Sequence, residues 1–256
     1  MPTVTRFNIT PVKSTRLHHP EGVRFEPYGV PGDRDFLFLD EAGRLFGGSK
    51  LGTLVQIEAA HDNERDVLRM RFPDGIEVES SAAPDGEALD VDFYGRSVPT
   101  HVVDGPWAEH LSRHARRDLR LARVDRRGEG TDVRPVTLVS LASVDELRRR
   151  GDRREPLDPR RFRMTVELDG LPPHGEDAWD GRRVRVGEAV LLVETPVPRC
   201  DVTTFDPATG LRDFPTLHVI KRYRGVTGDR DLIFGMYASV LEPGEARVGD
   251  PVEPLG

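Results

Sequence analysis

A single cysteine occurs in the chain, and it sits in the stretch Thr195-Pro196-Val197-Pro198-Arg199-Cys200-Asp201-Val202-Thr203-Thr204-Phe205-Asp206-Pro207-Ala208-Thr209-Gly210. A thiolate attacks electrophiles and ligates soft metals, and a neighbouring arginine favours that charged form. Cys200 has Arg199 before it and Asp201 after it, hydroxyls at Thr203 and Thr204, and then a run from Asp206 to Gly210 with Pro and Gly where a tight turn wants them. A lone cysteine is most often a small buried hydrophobe. The charged neighbours and flanking prolines keep a functional thiol open beside that reading. One cysteine also excludes an internal disulfide, a cysteine-only zinc site and a cysteine-ligated iron–sulfur cluster, so any electrons must come from another protein or cofactor.

Several elements have to position this chemistry. Val184 to Glu194 reads as one buried strand, with Val184, Val186, Val190 and Leu192 at even spacing before Pro196 and Pro198 stop the ladder. It would deliver Cys200 on a stiff loop. Val136 to Leu141 reads as another buried strand running into a helix that ends at Gly151, with Ser143 and Glu146 as a capping box and Arg148, Arg149 and Arg150 at the negative end. A helix start of this kind presents free amides to an anion. From 161 to 168, strict alternation predicts a strand with Phe162, Met164, Val166 and Leu168 on one face and Arg161, Arg163 and Thr165 on the other. Facing an anionic ligand, those arginines would be its clamp.

The first hundred residues read as short strands with turns between them, the pattern of a small barrel or sandwich. Hairpins are predicted around Asp40-Glu41-Ala42-Gly43, Pro73-Asp74-Gly75 and Tyr94-Gly95-Arg96. At Gly105-Pro106 the pattern changes to a helix with Trp107, Leu111 and Ala115 at i, i+4, i+8. The division predicted there is 1–105 and 106–256. The C-terminal part reads as two strands, from Leu232 and from Ala246, joined by a Pro243-Gly244 turn that closes a second barrel-like sheet. The fold class is therefore mainly β, of the α+β type, with two barrels and appended helices.

Composition bounds the function. An apolar fraction of 37% is ample for a core. No apolar run approaches a membrane span, and the N-terminus lacks the pattern of a secretion signal, so a cytoplasmic protein with no membrane partner is expected. The formal net charge of −7 argues against a nucleic-acid partner, and the basic run from Arg113 through Arg127 reads as a solvated face. Lysine occurs only at Lys13, Lys50 and Lys221, so positive charge is carried almost wholly by arginine, whose fork suits phosphate and carboxylate.

Taken together, Pro11-Val12-Lys13-Ser14, Gly32-Asp33-Arg34, Leu138 to Ser143, Arg161-Phe162-Arg163, Pro198 to Gly210 and Val248-Gly249-Asp250-Pro251-Val252 appear in an order that resembles the MOSC family, in the two-part form of the amidoxime-reducing components. The resemblance implies an N-terminal β-barrel domain, a MOSC β-barrel domain with appended helices, and a molybdenum cofactor held between them as a molybdenum-bearing molybdopterin. It implies Cys200 as the molybdenum ligand and Lys13, Ser14, Arg34, Ser140, Ser143, Arg163, Arg199 and Thr203 as cofactor-binding residues; in the loop itself, Asp201 and Asp206 are candidates for a proton relay, although an Asp before Pro in a turn usually serves the turn. The activity implied is reduction of N-hydroxylated compounds such as amidoximes, hydroxylamines or N-hydroxylated bases, small-molecule substrates reduced with electrons from a separate ferredoxin- or flavoprotein-type donor. Two rivals use the same residues: a sulfur carrier with a Cys200 persulfide, and a module that binds the molybdenum cofactor without turnover. Where the amidoxime-reducing relatives tend to place an arginine, this chain has Lys50, which keeps the charge but not the fork.

Overall fold

The computed structural model describes residues 1–255. Its strands, in chain order, are β1 (Thr3–Phe7), β2 (Gly22–Phe25), β3 (Phe36–Asp40), β4 (Leu45–Phe46), β5 (Glu58–Asp62), β6 (Val67–Arg71), β7 (Glu77–Ser81), β8 (Ala88–Phe93) and β9 (Arg96–Val102). They continue with β10 (Leu119–Val124), β11 (Val136–Ser140), β12 (Val166–Asp169), β13 (Arg183–Val186), β14 (Ala189–Pro198), β15 (Ile233–Glu242), β16 (Gly244–Arg247) and β17 (Val252–Pro254). The α-helices are α1 (Trp107–Ala115), α2 (Leu141–Arg150) and α3 (Thr216–Arg224). Among the described residues no helix is long and apolar enough to cross a membrane.

The mainly β expectation holds. A five-stranded sheet, β4-β3-β10-β9-β8, and a three-stranded one, β5-β6-β7, enclose one core that includes Phe36, Phe38, Leu68, Met70, Trp107 and Leu121. Strand β3 is buried on both faces because its alternate residues serve different cores: Phe36 and Phe38 point into that one, while Leu37 and Leu39 pack against Phe93, Val98 and Val91. The three predicted hairpins are present as β3–β4, β6–β7 and β8–β9.

The second barrel is a seven-stranded sheet in the order β1-β12-β11-β15-β14-β13-β17. Its edges meet, since Thr3 bridges to Pro251 and the Val252 amide donates to the Pro2 carbonyl at 2.8 Å. Two strands of the first hundred residues thus serve the second half: β1 pairs with β12, and β2 pairs with β16. Their residues Val4, Phe7, Val23 and Phe25 lie in the second core.

Packing continues across the division expected at 105/106. Trp107 and Leu111 of α1 fill the first core, and β10 pairs with β3 and β9, so the chain leaves the first unit only after Val124. Composition changes at the helix, but a helix that covers a barrel belongs to it. The basic run from Arg113 divides accordingly between α1 and β10, with Arg116 left-handed at the helix end.

Three expectations are corrected. Val184 to Glu194 is a hairpin, with Val186 opposite Ala189, and the strand continues through both prolines to Pro198 with register shifts at Pro196 and Pro198. Prolines are tolerated there because irregular pairing does not need their missing N–H. The Pro243-Gly244 segment is no hairpin turn, because β16 crosses to β2. The alternation from 161 to 168 is not a strand until Val166: residues 159–162 form a short 3-10 turn and Arg163 is left-handed with φ 53°. Apolar spacing of two fits a tight turn leading into a strand as well as it fits a strand.

Candidate functional site

The two β units and the segment joining them enclose a cavity of about 410 Å³. Its lining comes from three sources. Lys13, Ser14, Arg34 and Tyr94 belong to the first half of the chain, Asp132 to the joining segment, and Arg163, Arg199, Cys200 and Tyr237 to the second half.

The loop after β1 is zipped to the segment before β3. Thr10 N donates to Asp33 Oδ1 at 2.9 Å, Arg34 N to Thr10 O at 2.6 Å, and Lys13 N to Phe36 O at 2.8 Å. This pairing leaves Ser14 and Arg34 in left-handed backbone, φ 78° and 59°, an arrangement that costs energy for a side chain with a Cβ and clusters at functional sites. Ser14 Oγ accepts from Gly48 N at 2.9 Å. Gly130 lets the joining segment lie on the Arg34 carbonyl, where a Cβ would come within 1.8 Å of that oxygen.

The guanidinium groups sew the halves together. Arg34 pairs with Asp33 and donates from Nη2 to the Arg163 carbonyl at 2.9 Å; Arg163 returns the contact, donating from Nη2 to the Thr15 carbonyl at 2.8 Å. Arg199 donates to the Phe234 and Phe162 carbonyls at 2.8 and 3.2 Å, and lies over the Phe162 ring at 5.3 Å. Among the described residues neither Arg163 nor Arg199 forms an ion pair with a carboxylate, and Asp132 acts on both only at longer range.

Electrostatics follow from that crowding. Burial, and then repulsion from Arg34, brings Arg163 down to about 9; burial brings Arg199 down to about 10. Burial lowers Lys13 against the attraction of Asp132, which its Nζ contacts at 2.6 Å. For Asp132, burial works to raise the pKa but is outweighed by Lys13, Arg34 and Arg199, and its carboxyl stays below the ordinary value. Burial pushes the Tyr237 phenol up to about 12. Guanidinium groups keep their protons at neutral pH, so both arginines stay cationic despite that burial.

Cys200 lies two residues beyond the end of β14 and caps a short 3-10 turn, Asp201–Thr204. Its carbonyl accepts from Thr203 N at 3.2 Å and Thr203 Oγ1 at 3.1 Å. The thiol is free and exposed, and it lines the cavity. A core cysteine is thereby ruled out.

Of the other sequence-derived candidates, Lys13, Ser14, Arg34, Arg163 and Arg199 share this cavity, and so does Lys50. Asp201 does not; it is exposed and paired with Arg212 at 2.9 Å. Thr203 is buried beneath the loop, its carbonyl accepting from Arg161 at 3.1 Å and Thr216 Oγ1 at 2.6 Å. Arg161, read as a partner of Arg163 on one strand face, instead turns inward to a two-pronged pair with Asp213. Asp132, Tyr94 and Tyr237 were not singled out. The joining segment carries three acids, Asp125, Glu129 and Asp132, and three arginines, so nothing local marks Asp132 among them.

Ser140 and Ser143 also lie outside the cavity lining. Ser140, not Ser143, is the N-cap of α2, accepting from Ala142 N at 3.2 Å. The helix start already holds an acid: Glu176 accepts from Ser143 Oγ at 2.8 Å and from Ser140 N at 3.2 Å. Beside it, His174 contacts the Tyr223 hydroxyl at 3.1 Å and the Arg224 guanidinium, which also pairs with Asp177. Burial, then repulsion from Arg224, brings the imidazole down from 6.5 to about 4. The folded state therefore favours the neutral ring, and the stability this contributes is complete above pH 6.5 and is lost as pH falls towards 4. A His174→Asn variant, compatible with the left-handed φ of 60° at this position, should lose less melting temperature than the wild type between pH 6.5 and 4. Parallel melting curves across that interval would refute the linkage.

Comparison with known proteins adds the following. The MOSC domain model matches residues 125–253, and the MOSC N-terminal beta barrel domain model matches residues 1–105. The chain is 26% identical to mitochondrial amidoxime-reducing component 1 of Mus musculus over 99% of this chain and 82% of that one. It is 29% identical to mitochondrial amidoxime-reducing component 1 of Danio rerio over 97% and 83%. Among solved structures, the YUAD protein of Bacillus subtilis aligns with 98% of this chain and 94% of its own at 16% identity, with a TM-score of 0.44.

Proposed function

Since the chain belongs to the MOSC family, we propose that it is a molybdenum-cofactor-dependent oxidoreductase that reduces N-hydroxylated compounds to the corresponding amines, amidines or bases. The observation that carries this reading is an exposed thiol, Cys200, opening into a cavity that also holds Arg163 and Arg199, half-buried arginines with no carboxylate in ion-pair contact.

The residues fit the group in donor chemistry and in size. A cavity of about 410 Å³ lies within the usual range for cofactor and small-ligand sites, about 300–1,000 Å³. Cys200 would ligate the metal, a soft ligand for a centre that is itself surrounded by sulfur. Lys13, Ser14, Arg34, Arg163 and Arg199 would hold the pterin and its phosphate, the arginines as forked donors. When bound, the group supplies a metal that exchanges electrons with a separate redox protein of the ferredoxin or flavoprotein type.

The chain's own residues handle charge and protons. Reduction of an N–OH group to N–H consumes two electrons and two protons and releases water. Lys13 holds a proton inside the cavity that burial makes easier to release than from a solvated lysine, and Asp132 fixes its position. The bonds from Arg34 to the Arg163 carbonyl and from Arg163 to the Thr15 carbonyl would keep both halves of the chain on one cofactor.

Protein produced in cells that make the cofactor should carry about one molybdenum and one pterin per chain and reduce benzamidoxime with a one-electron donor. Folded protein without metal or pterin would refute the reading. If its intact mass instead shows one extra sulfur, removable by thiols, Cys200 is a sulfur carrier. Bound cofactor without reduction by any donor would leave a binding module.

A further inference from the structure

The turn between β8 and β9 is not used by the chemistry above, yet it brings a side chain to the same cavity. Tyr94 and Gly95 make the connection, with Phe93 opposite Arg96. Both have positive φ, 55° and 86°, the signature of a type I′ turn. The first position of such a turn favours Asn, Asp or Gly, because a Cβ crowds the backbone in the left-handed region. A tyrosine there strains the chain and gains little packing in return. It is 68% exposed, touches Phe93 edge-on at 5.2 Å, and lines the cavity that Cys200 lines.

The turn is held firmly. Asp92 Oδ1 accepts from Gly95 N at 2.8 Å. Arg96 Nη2 donates to the carbonyls of Glu129, Thr131 and Asp132 at 3.3, 2.9 and 2.7 Å, binding the hairpin to the segment that carries Asp132. Phe93 lies under Lys13 Nζ at 4.8 Å and Arg96 at 5.3 Å. The result is a bare aromatic face fixed beside the cavity, at a position where local conformation disfavours it.

We propose that Tyr94 is a specificity-determining residue whose ring receives the flat, π-bearing part of the substrate. Resting on the reductase reading above, this narrows the substrate class to N-hydroxylated compounds whose N–O group is attached to an aromatic body, in preference to small aliphatic hydroxylamines. Stacking on a ring favours planar π-systems over aliphatic chains of similar size.

The test compares wild type, Tyr94→Phe and Tyr94→Asn with benzamidoxime and N-methylhydroxylamine. Asparagine suits the turn, so its melting temperature should equal or exceed that of the wild type, which separates a structural role from a recognition role. The Asn variant should raise KM for benzamidoxime about tenfold with kcat held, shift KM for N-methylhydroxylamine less than about twofold, and the Phe variant should behave as wild type. Titration calorimetry of benzamidoxime into the protein as isolated, without electron donor, keeps the two readings distinguishable. About tenfold weaker binding by the Asn variant, in a protein that never reduces benzamidoxime, upholds Tyr94 and overturns the reductase reading. Equal binding by wild type and the Asn variant, or no binding by the wild type, overturns the assignment of Tyr94 whatever the reduction assay gives.

Discussion

On the proposed reading, replacing Cys200 by serine should strip molybdenum from the purified protein and lower reductase activity by at least about a hundredfold, since losing even the outer partners of a metal ligand costs ten- to a hundredfold. The melting temperature should stay within about 2 °C of the wild type. The reason for this separation is structural. The Cys200 side chain is exposed, and the loop is held through its backbone carbonyl, which a serine retains. A serine hydroxyl is a hard, protonated oxygen at neutral pH and a poor substitute for a thiolate on a soft metal. Metal analysis and thermal melting on the same samples decide it. A variant that keeps its metal and its activity would remove Cys200 from the site.

The largest loss of stability should come from beneath that loop. The Arg161 side chain is 1% exposed and pairs with Asp213, which is 23% exposed and also pairs with Arg153. Removing one partner of a buried pair leaves a charge without compensation, at a cost of about 3–5 kcal/mol. For Asp213→Ala the low end, about 3 kcal/mol, is expected, because Asp213 keeps contact with water. In a chain of this size that is roughly 6–12 °C in melting temperature. Arg161 also donates to the Thr203 carbonyl, so the loop carrying Cys200 should loosen as well. A double variant with apolar residues of similar volume, Arg161→Met with Asp213→Leu, should recover most of the loss. Denaturant unfolding gives the number, and a cost below about 1 kcal/mol would mean that the pair is not doing what its burial implies.

The pair also shows where sequence reasoning succeeds and where it stops. Hairpins whose turns carry Asp-Gly or Tyr-Gly were predictable, because the turn chemistry is local. Cys200 at a strand end was predictable because prolines and charges flank it. By contrast, Arg161 and Arg163 were assigned to one face by alternation alone, and one left-handed residue places them in different surroundings. Ser143 satisfied a local capping rule, but the helix begins one turn earlier, at Ser140, and a buried acid from a distant segment, Glu176, occupies its start. Lys13, Ser14 and Arg34 came from family resemblance and not from physics, since only the fold brings residue 34 against residue 163. Asp132 becomes visible once the joining segment is seen to line the cavity.

The placement of the first strand has a consequence for how the protein is made. Val4 is paired with Leu168 in the finished barrel, and Thr3 bridges to Pro251. At ribosomal speeds of about 5–20 residues per second, the first-made segment waits roughly ten to thirty seconds for the nearer of these partners. Throughout that interval a strand bearing Val4 and Phe7 emerges with an open edge, the kind of surface that nascent-chain chaperones cover. Because Lys13 and Arg34 follow this strand closely while Cys200 and Tyr237 lie far along the chain, the cavity is complete only after the waiting strand has been claimed.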